Sequence, residues 1–89
     1  MPDRRWKPRD RAVALRYNFN APAPFLVAKA EGHLAEALLK IAGEHGIPII
    51  REEGLANLLY PLDLGSCIPP EFYEVIAAVF AWIQASEEP

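Results

Sequence analysis

The hydrophobic period of this chain changes within its first half, and that change restricts the possible folds more than any other feature of the sequence. Residues 11–17 alternate between a face of larger apolar side chains and a face of smaller or charged ones, which is the period of a β-strand. Residues 25–28 are continuously apolar, as in a strand buried on both faces. Residues 33–45 instead repeat apolar positions with the period of a helix. The buried stripe of that helix is predicted to comprise Leu34, Leu38, Ile41 and Ala42.

The second half of the chain continues the mixture. Gly46 is placed to end the first helix, and the apolar run at residues 47–50 predicts a third strand, parallel to the second. Residues 53–60 have helical spacing, and Pro61 is expected to end that helix. Pro70 suits the first turn of a last helix. The buried stripe of the last helix is predicted to comprise Phe72, Val75, Ile76, Val79 and Ile83. The sequence therefore predicts an α/β (α+β) fold, a compact mixed sheet with helices packed on it.

Length and composition are those of one small globular domain. A chain of 89 residues that is 52% hydrophobic can build a single core. No apolar run approaches the roughly 20 residues that cross a bilayer, and the N-terminus lacks the apolar centre of a signal peptide, so we expect a soluble, cytoplasmic protein. Cys67 is the one cysteine, and His33 and His45 are far apart in sequence. We therefore expect no disulfide within the chain, no metal, no cofactor and no small-molecule substrate.

Charge is distributed unevenly along the chain. Residues 1–16 carry six basic and two acidic side chains, whereas the remainder carries three basic and ten acidic ones. We predict a flexible basic N-terminal arm over residues 1–10, a folded domain over 11–84 and a frayed tail over 85–89. The arm suggests an alternative function, the binding of nucleic acid or another anionic surface. The residues concerned are Arg4, Arg5, Lys7, Arg9 and Arg11. The acidic remainder argues against that alternative, and we expect no nucleic-acid partner.

Several short motifs follow one another in a fixed order. They are Lys-Pro-Arg-Asp-Arg-Ala-Val-Ala-Leu-Arg-Tyr at 7–17, Ala-Pro-Phe-Leu-Val-Ala-Lys at 23–29, Glu-His-Gly-Ile-Pro-Ile-Ile at 44–50, Leu-Ala-Asn-Leu-Leu-Tyr at 55–60 and Gly-Ser-Cys-Ile-Pro-Pro-Glu-Phe-Tyr at 65–73. In order and spacing they resemble the cytoplasmic domain of the FlhB/EscU family, the substrate-specificity switch of flagellar and type III secretion export. Ala30 departs from the family, which usually has Gly there. The resemblance implies a small sheet of about four strands surrounded by three to four helices.

The family cleaves its own chain at an Asn-Pro-Thr-His turn, in which the Asn side-chain amide attacks its own backbone carbonyl. The corresponding positions here are Lys7, Pro8, Arg9 and Asp10. The ammonium group of Lys7 cannot perform that attack, and no Asn elsewhere in the sequence directly precedes Pro. We therefore expect no self-cleavage and no enzymatic activity. Because only six residues precede Lys7, we also expect a stand-alone FlhB-like protein without the family's transmembrane half and without membrane insertion.

The resemblance further implies a docking surface. In the family, the loop before the second strand and the last helix form a small apolar surface that is thought to receive a short export signal of early, rod- and hook-type substrates. The corresponding residues here are Ala23, Pro24, Ala77 and Phe80. Alternatively, Phe80 packs beneath the Pro-rich loop as an ordinary core residue. The docking hypothesis predicts a non-cleaving protein that binds export substrates or export-gate components in flagellar or type III protein secretion.

Overall fold

The computed structural model describes residues 7, 9–18 and 20–87, with side chains up to residue 85. Within these residues, strands β1 (Arg11–Arg16) and β2 (Phe25–Glu31) form an antiparallel hairpin. The helices are α1 (Gly32–Glu44), α2 (Glu53–Leu59) and α3 (Tyr73–Glu87), and a 3-10 turn over Pro70–Phe72 precedes the last. The predicted α+β class is confirmed, and α2 ends before Pro61 as expected. α3 continues to Glu87, within the segment 85–89 for which a frayed tail was predicted.

The hairpin has one face of small side chains and one face of large ones. Ala12 pairs with Ala30 and Ala14 pairs with Ala28, so four alanines share one face, because directly opposed residues project to the same side. α1 packs against both strands and contributes Ala35, which is completely buried. The short alanine side chains let this helix lie close to the sheet.

The other face of the hairpin carries the main core. A bulge shifts the register, so that Ala14 pairs with Ala28 but Leu15 pairs with Leu26. The shift turns Leu26 inward, where it is fully buried, and leaves Val27 46% exposed. The buried cluster around it consists of Ala23, Leu26, Leu59, Ile68 and Ile76.

The third strand predicted over residues 47–50 is wrong, because the end of α1 turns the chain away. Gly46 has a φ of +70°, and the Ile47 N–H donates to the Ala42 carbonyl at 2.9 Å, which together form a Schellman motif. Beyond it, Ile47 and Ile49 are 54% and 47% exposed. Pro48 between them has no N–H to donate to a strand ladder.

Residues 65–68 instead occupy the edge of β2 that β1 leaves open. The Leu26 N–H donates to Ser66 O at 3.1 Å, the Gly65 N–H donates to Leu26 O at 2.7 Å, and Phe25 forms an isolated antiparallel bridge with Cys67. Gly65 has a φ of +83°, a conformation that suits glycine. In the described part of the chain, the sheet therefore has two strands and one bridge, fewer than the implied four strands.

Two predicted helical stripes also differ from the observed ones. Leu34 and Ile41 of α1 are 71% and 51% exposed, because the alanine face is only two strands wide. Leu38 and Ala42 of the same predicted stripe are half-buried. On α3, Ile76 is buried, but Val75 is 44% exposed. The other predicted positions of that stripe, Phe72, Val79 and Ile83, are half-buried.

Lys29 fixes the end of α2 against the hairpin. It pairs with Val13 and so lies on the core face. Its Nζ donates to the carbonyls of Tyr60 at 2.9 Å and Leu62 at 2.7 Å and lies 5.3 Å from the centre of the Tyr60 ring. Arg11 stacks on that ring at 4.5 Å, and its Nε is 2.9 Å from Oε2 of Glu31. A half-buried ammonium group thus holds the chain where it leaves α2.

Replacing Lys29 with methionine tests this attachment. Lys29→Met keeps an unbranched apolar stem but removes both hydrogen bonds, so we expect the free energy of unfolding to fall by about 2 kcal/mol. Lys40→Met is the matched control, since Lys40 is exposed on α1, and should change stability by less than about 0.5 kcal/mol. Urea unfolding measures both. Equal stabilities would show that water replaces the ammonium group at the two carbonyls without cost.

Candidate docking groove

A groove of about 400 Å³ lies between the loop that joins β1 to β2 and the helix α3. Ala23, Pro24, Ala77 and Phe80 all line it. Ala23 is buried, Pro24 and Phe80 are half-buried, and Ala77 is exposed. The structure therefore brings the four residues of the hypothetical docking surface to one place.

Among the described residues, the groove has a buried floor and a lining without charged side chains. Ile68 and Ile76, each 1% exposed, and Ala23, 3% exposed, lie at its base. The remaining lining residues are Tyr17, Pro22, Tyr73, Ala81 and Gln84. The polar side-chain groups of the lining are thus two hydroxyls and one amide. A concave surface of this kind suits apolar side chains of a ligand, with a few polar groups to orient its backbone.

Phe80 takes part in both arrangements that the sequence suggested. It packs against the buried cluster, as an ordinary core residue would, and it also lines the groove. Its ring lies 6.2 Å from that of Tyr17, with the two planes tilted by 48°. Tyr17 is 50% exposed and forms a wall of the groove that the sequence analysis did not predict. Alternation placed Tyr17 on the face of Leu15, but only the tertiary fold brings it to Phe80.

Hydrogen bonds at both ends hold the loop side of the groove. Near its start, Asn18 accepts from the Asn20 N–H with its side chain at 3.0 Å and from the Ala21 N–H with its backbone carbonyl at 3.1 Å, a turn that Asn favours. At its end, Pro24 O accepts from the Ile68 N–H at 2.9 Å. The groove is therefore largely formed before a ligand arrives, which lowers the entropic cost of binding.

Lys7 and Asp10, at the first and last positions that correspond to the self-cleaving motif, are joined by hydrogen bonds. The Asp10 N–H donates to Lys7 O at 3.0 Å, and the Lys7 N–H donates to Asp10 Oδ2 at 2.8 Å. The Gly32 N–H donates to Asp10 O at 2.7 Å, which ties the turn to the start of α1. Arg9 is exposed, and Pro8 lies outside the described residues. Asp10 thus closes the turn with its carboxylate, at the position that resembles the family's His.

The basic residues predicted to form an arm do not come together as one described surface. Arg4 and Arg5 lie outside the described residues, as does most of the predicted arm. Lys7 and Arg9 are exposed, but Arg11 is engaged by Glu31 and Tyr60. Arg11, one of the basic residues predicted to bind an anionic surface, is therefore already paired with groups of the protein itself.

The two histidines lie apart from the groove. His45 has Nδ1 2.9 Å from Ile41 O, at the carbonyl end of α1. The ring of His33 is 92% exposed, with Nδ1 3.7 Å from Glu36. Among residues 7, 9–18 and 20–87, no group of three or more His, Cys, Asp or Glu could hold a metal ion. Over the same residues, no helix has the length and hydrophobicity that a membrane crossing requires.

Comparison with known proteins identifies the family. Residues 6–83 match the FlhB HrpN YscU SpaS family. The chain is 41% identical to the flagellar biosynthetic protein FlhB of Helicobacter pylori over 78 residues, which are 86% of this chain and 22% of that protein. It thus spans about a fifth of the length of such relatives. It is also 34% identical to the uncharacterized protein YlqH of Bacillus subtilis over 79 residues, which are 88% of this chain and 85% of YlqH.

The fold gives the same result. The crystal structure of the PscU C-terminal domain superposes with a TM-score of 0.79 and 29% sequence identity, over 85% of this chain and 99% of that domain. The resemblance stated from the short motifs is therefore confirmed. The chain belongs to the FlhB HrpN YscU SpaS family, and its α+β fold is that of the PscU C-terminal domain.

Proposed function

We propose that this protein acts in flagellar or type III protein export by binding short apolar export signals, and that it does so without cleaving itself. The observation that carries the proposal is the groove in which Ala23, Pro24, Ala77 and Phe80 meet. Its uncharged lining favours the insertion of apolar side chains from a partner, since any charged group there would lose its hydration. The proposed occupant is an export substrate, and a component of the export gate is the alternative occupant.

Family membership supports the export role. The Helicobacter pylori relative is a flagellar biosynthetic protein, and the PscU domain has the same fold. Because the chain spans about a fifth of the FlhB relatives, the proposal concerns the binding function of this domain. The described residues that line the groove carry no charged side chain, which favours the binding of apolar groups.

The docking proposal is tested best at Ala77, since Phe80 also supports the core. Ala77→Asp places a carboxylate in the groove, and Ala78→Asp places the same group on the neighbouring position, which is exposed but does not line the groove. Both changes carry the same helix-propensity cost. We expect Ala77→Asp to weaken the binding of early, rod- and hook-type export substrates at least tenfold, about 1.4 kcal/mol, and Ala78→Asp to leave it within about twofold.

Fluorescence anisotropy with labelled peptides from those substrates measures both affinities. Thermal unfolding of the two variants should give equal midpoints, which separates loss of binding from loss of fold. Equal substrate affinities in the two variants would contradict the docking proposal. Binding of an export-gate protein that only Ala77→Asp abolishes, with no substrate binding, would keep the groove but change its occupant.

The second part of the proposal is that the chain stays intact. Lys7 lacks the side-chain amide that closes the ring in the family, so we expect one species of 9.9 kDa after prolonged incubation at neutral pH. Mass spectrometry under denaturing conditions is the measurement, because two fragments could remain associated in the native fold. Lys7→Asn is the matched variant, since it restores an amide in the same turn. Fragments of the natural chain that are split between Lys7 and Pro8 would contradict the proposal.

A further inference from the structure

The part of the chain that forms the α3 side of the groove carries charge of one sign. Residues 52–89 contain seven Asp or Glu residues and no Lys, Arg or His. Of these acidic residues, Glu74 lies on α3 between residues that line the groove. It follows Tyr73 and lies three positions before Ala77, and both of those neighbours line the groove. A ligand in the groove therefore meets a one-sided electrostatic environment at its edge.

Helix geometry places Glu74 within reach of a ligand. Side chains three positions apart on a helix are surface neighbours, with Cβ atoms about 5–6 Å apart, so Glu74 lies next to Ala77 at the exposed margin. Its own side chain is exposed. On the loop side, Arg16 is the nearest basic residue in sequence to Tyr17, but alternation along β1 directs it to the alanine face. The groove margin thus has the Glu74 carboxylate on its α3 side. Arg16, at the end of β1, does not face that carboxylate.

Resting on the docking function proposed above, we infer that the groove selects an apolar segment flanked by a positively charged residue, whose charge lies against Glu74. The described lining residues carry no charge, so the lining itself does not discriminate between charged flanks of a ligand. Glu74 and the acidic segment that contains it lie outside the lining, and they attract or repel the charged residues that flank the ligand's apolar segment. The apolar segment and the charged flank of the ligand are therefore bound by different residues.

Three synthetic peptides separate the two contributions. They share one apolar centre of Leu and Phe residues and differ in their flanks, which are Lys, Ser or Glu. An exposed charge pair changes affinity by up to about fivefold, so at low salt we expect the Lys-flanked peptide to bind about threefold to fivefold tighter than the Ser-flanked one. The Glu-flanked peptide should bind weakest. Raising the ionic strength should bring the three affinities together, because salt screens exposed charges.

Charge reversal assigns the preference to one residue. Glu74→Lys should reverse the order, so that the Glu-flanked peptide binds tightest. Glu44→Lys is the matched control, since it changes the net charge equally at an exposed position. Glu44 is the last residue of α1, which packs on the alanine face, and that variant should keep the original order. Calorimetric titration of each peptide into each protein provides the affinities.

The outcomes distinguish this inference from the function on which it rests. Equal affinities for the three peptides, together with tenfold weaker binding of the Ser-flanked one to Ala77→Asp, would overturn the charge preference and leave the docking function standing. Failure of all three peptides to bind would overturn both. A charge order that Glu44→Lys and Glu74→Lys alter equally would overturn the assignment to Glu74.

Discussion

The pair of hydrogen bonds from the Lys29 ammonium group to the carbonyls of Tyr60 and Leu62 is the constraint on which the rest of the structure depends. It fixes the point at which the chain leaves α2. Only Asp63 and Leu64 separate that point from Gly65, so the path to the open edge of β2 is set by it. Residues 65–68 pair there, and Ile68 then enters the core as the floor of the groove. A cation on one strand thus determines the shape of an uncharged surface.

The hydrogen bonds between Lys7 and Asp10 give this part of the chain a structural role of its own. Asp10 accepts a hydrogen bond from the Lys7 backbone and is itself tied to Gly32, so a turn forms although Lys7 stands where the family has Asn. The backbone contacts of this turn join the start of β1 to the start of α1.

The sequence predicted the elements whose signals are local. Alternation in residues 11–17 and the helical period of 33–45 each reflect the segment's own buried face, and both elements are present. The strand predicted over 47–50 is absent because the chain turns away at Gly46. Apolar content alone does not show which segment reaches the open edge of β2. The predicted stripe of α1 is only partly correct, since Leu38 and Ala42 are half-buried. Leu34 and Ile41 are exposed because the facing alanines leave room for Ala35 instead.

The candidate docking residues came from the resemblance to a family rather than from periodicity. Phe80 and Ala77 are close on one helix, but the sequence pattern alone gives no reason to join them to Ala23 and Pro24. Tyr17 and Ile68 were not predicted for the groove at all, because their contributions depend on the β1–β2 loop and on the bridge at Cys67. A single sequence does not show which distant segments of the chain contact one another, so these groove residues could not be predicted.

The walls of the groove come from the loop after β1, from Ile68 and from α3, which are separated by most of the length of the domain. A surface assembled from such distant segments exists only after nearly the entire chain has folded, since each long loop must close before its contacts form. A nascent or partly unfolded molecule would therefore present no recognition surface. Conversely, any ligand of the groove would stabilise the complete native state by mass action. Binding to the groove would therefore require that the whole domain be folded.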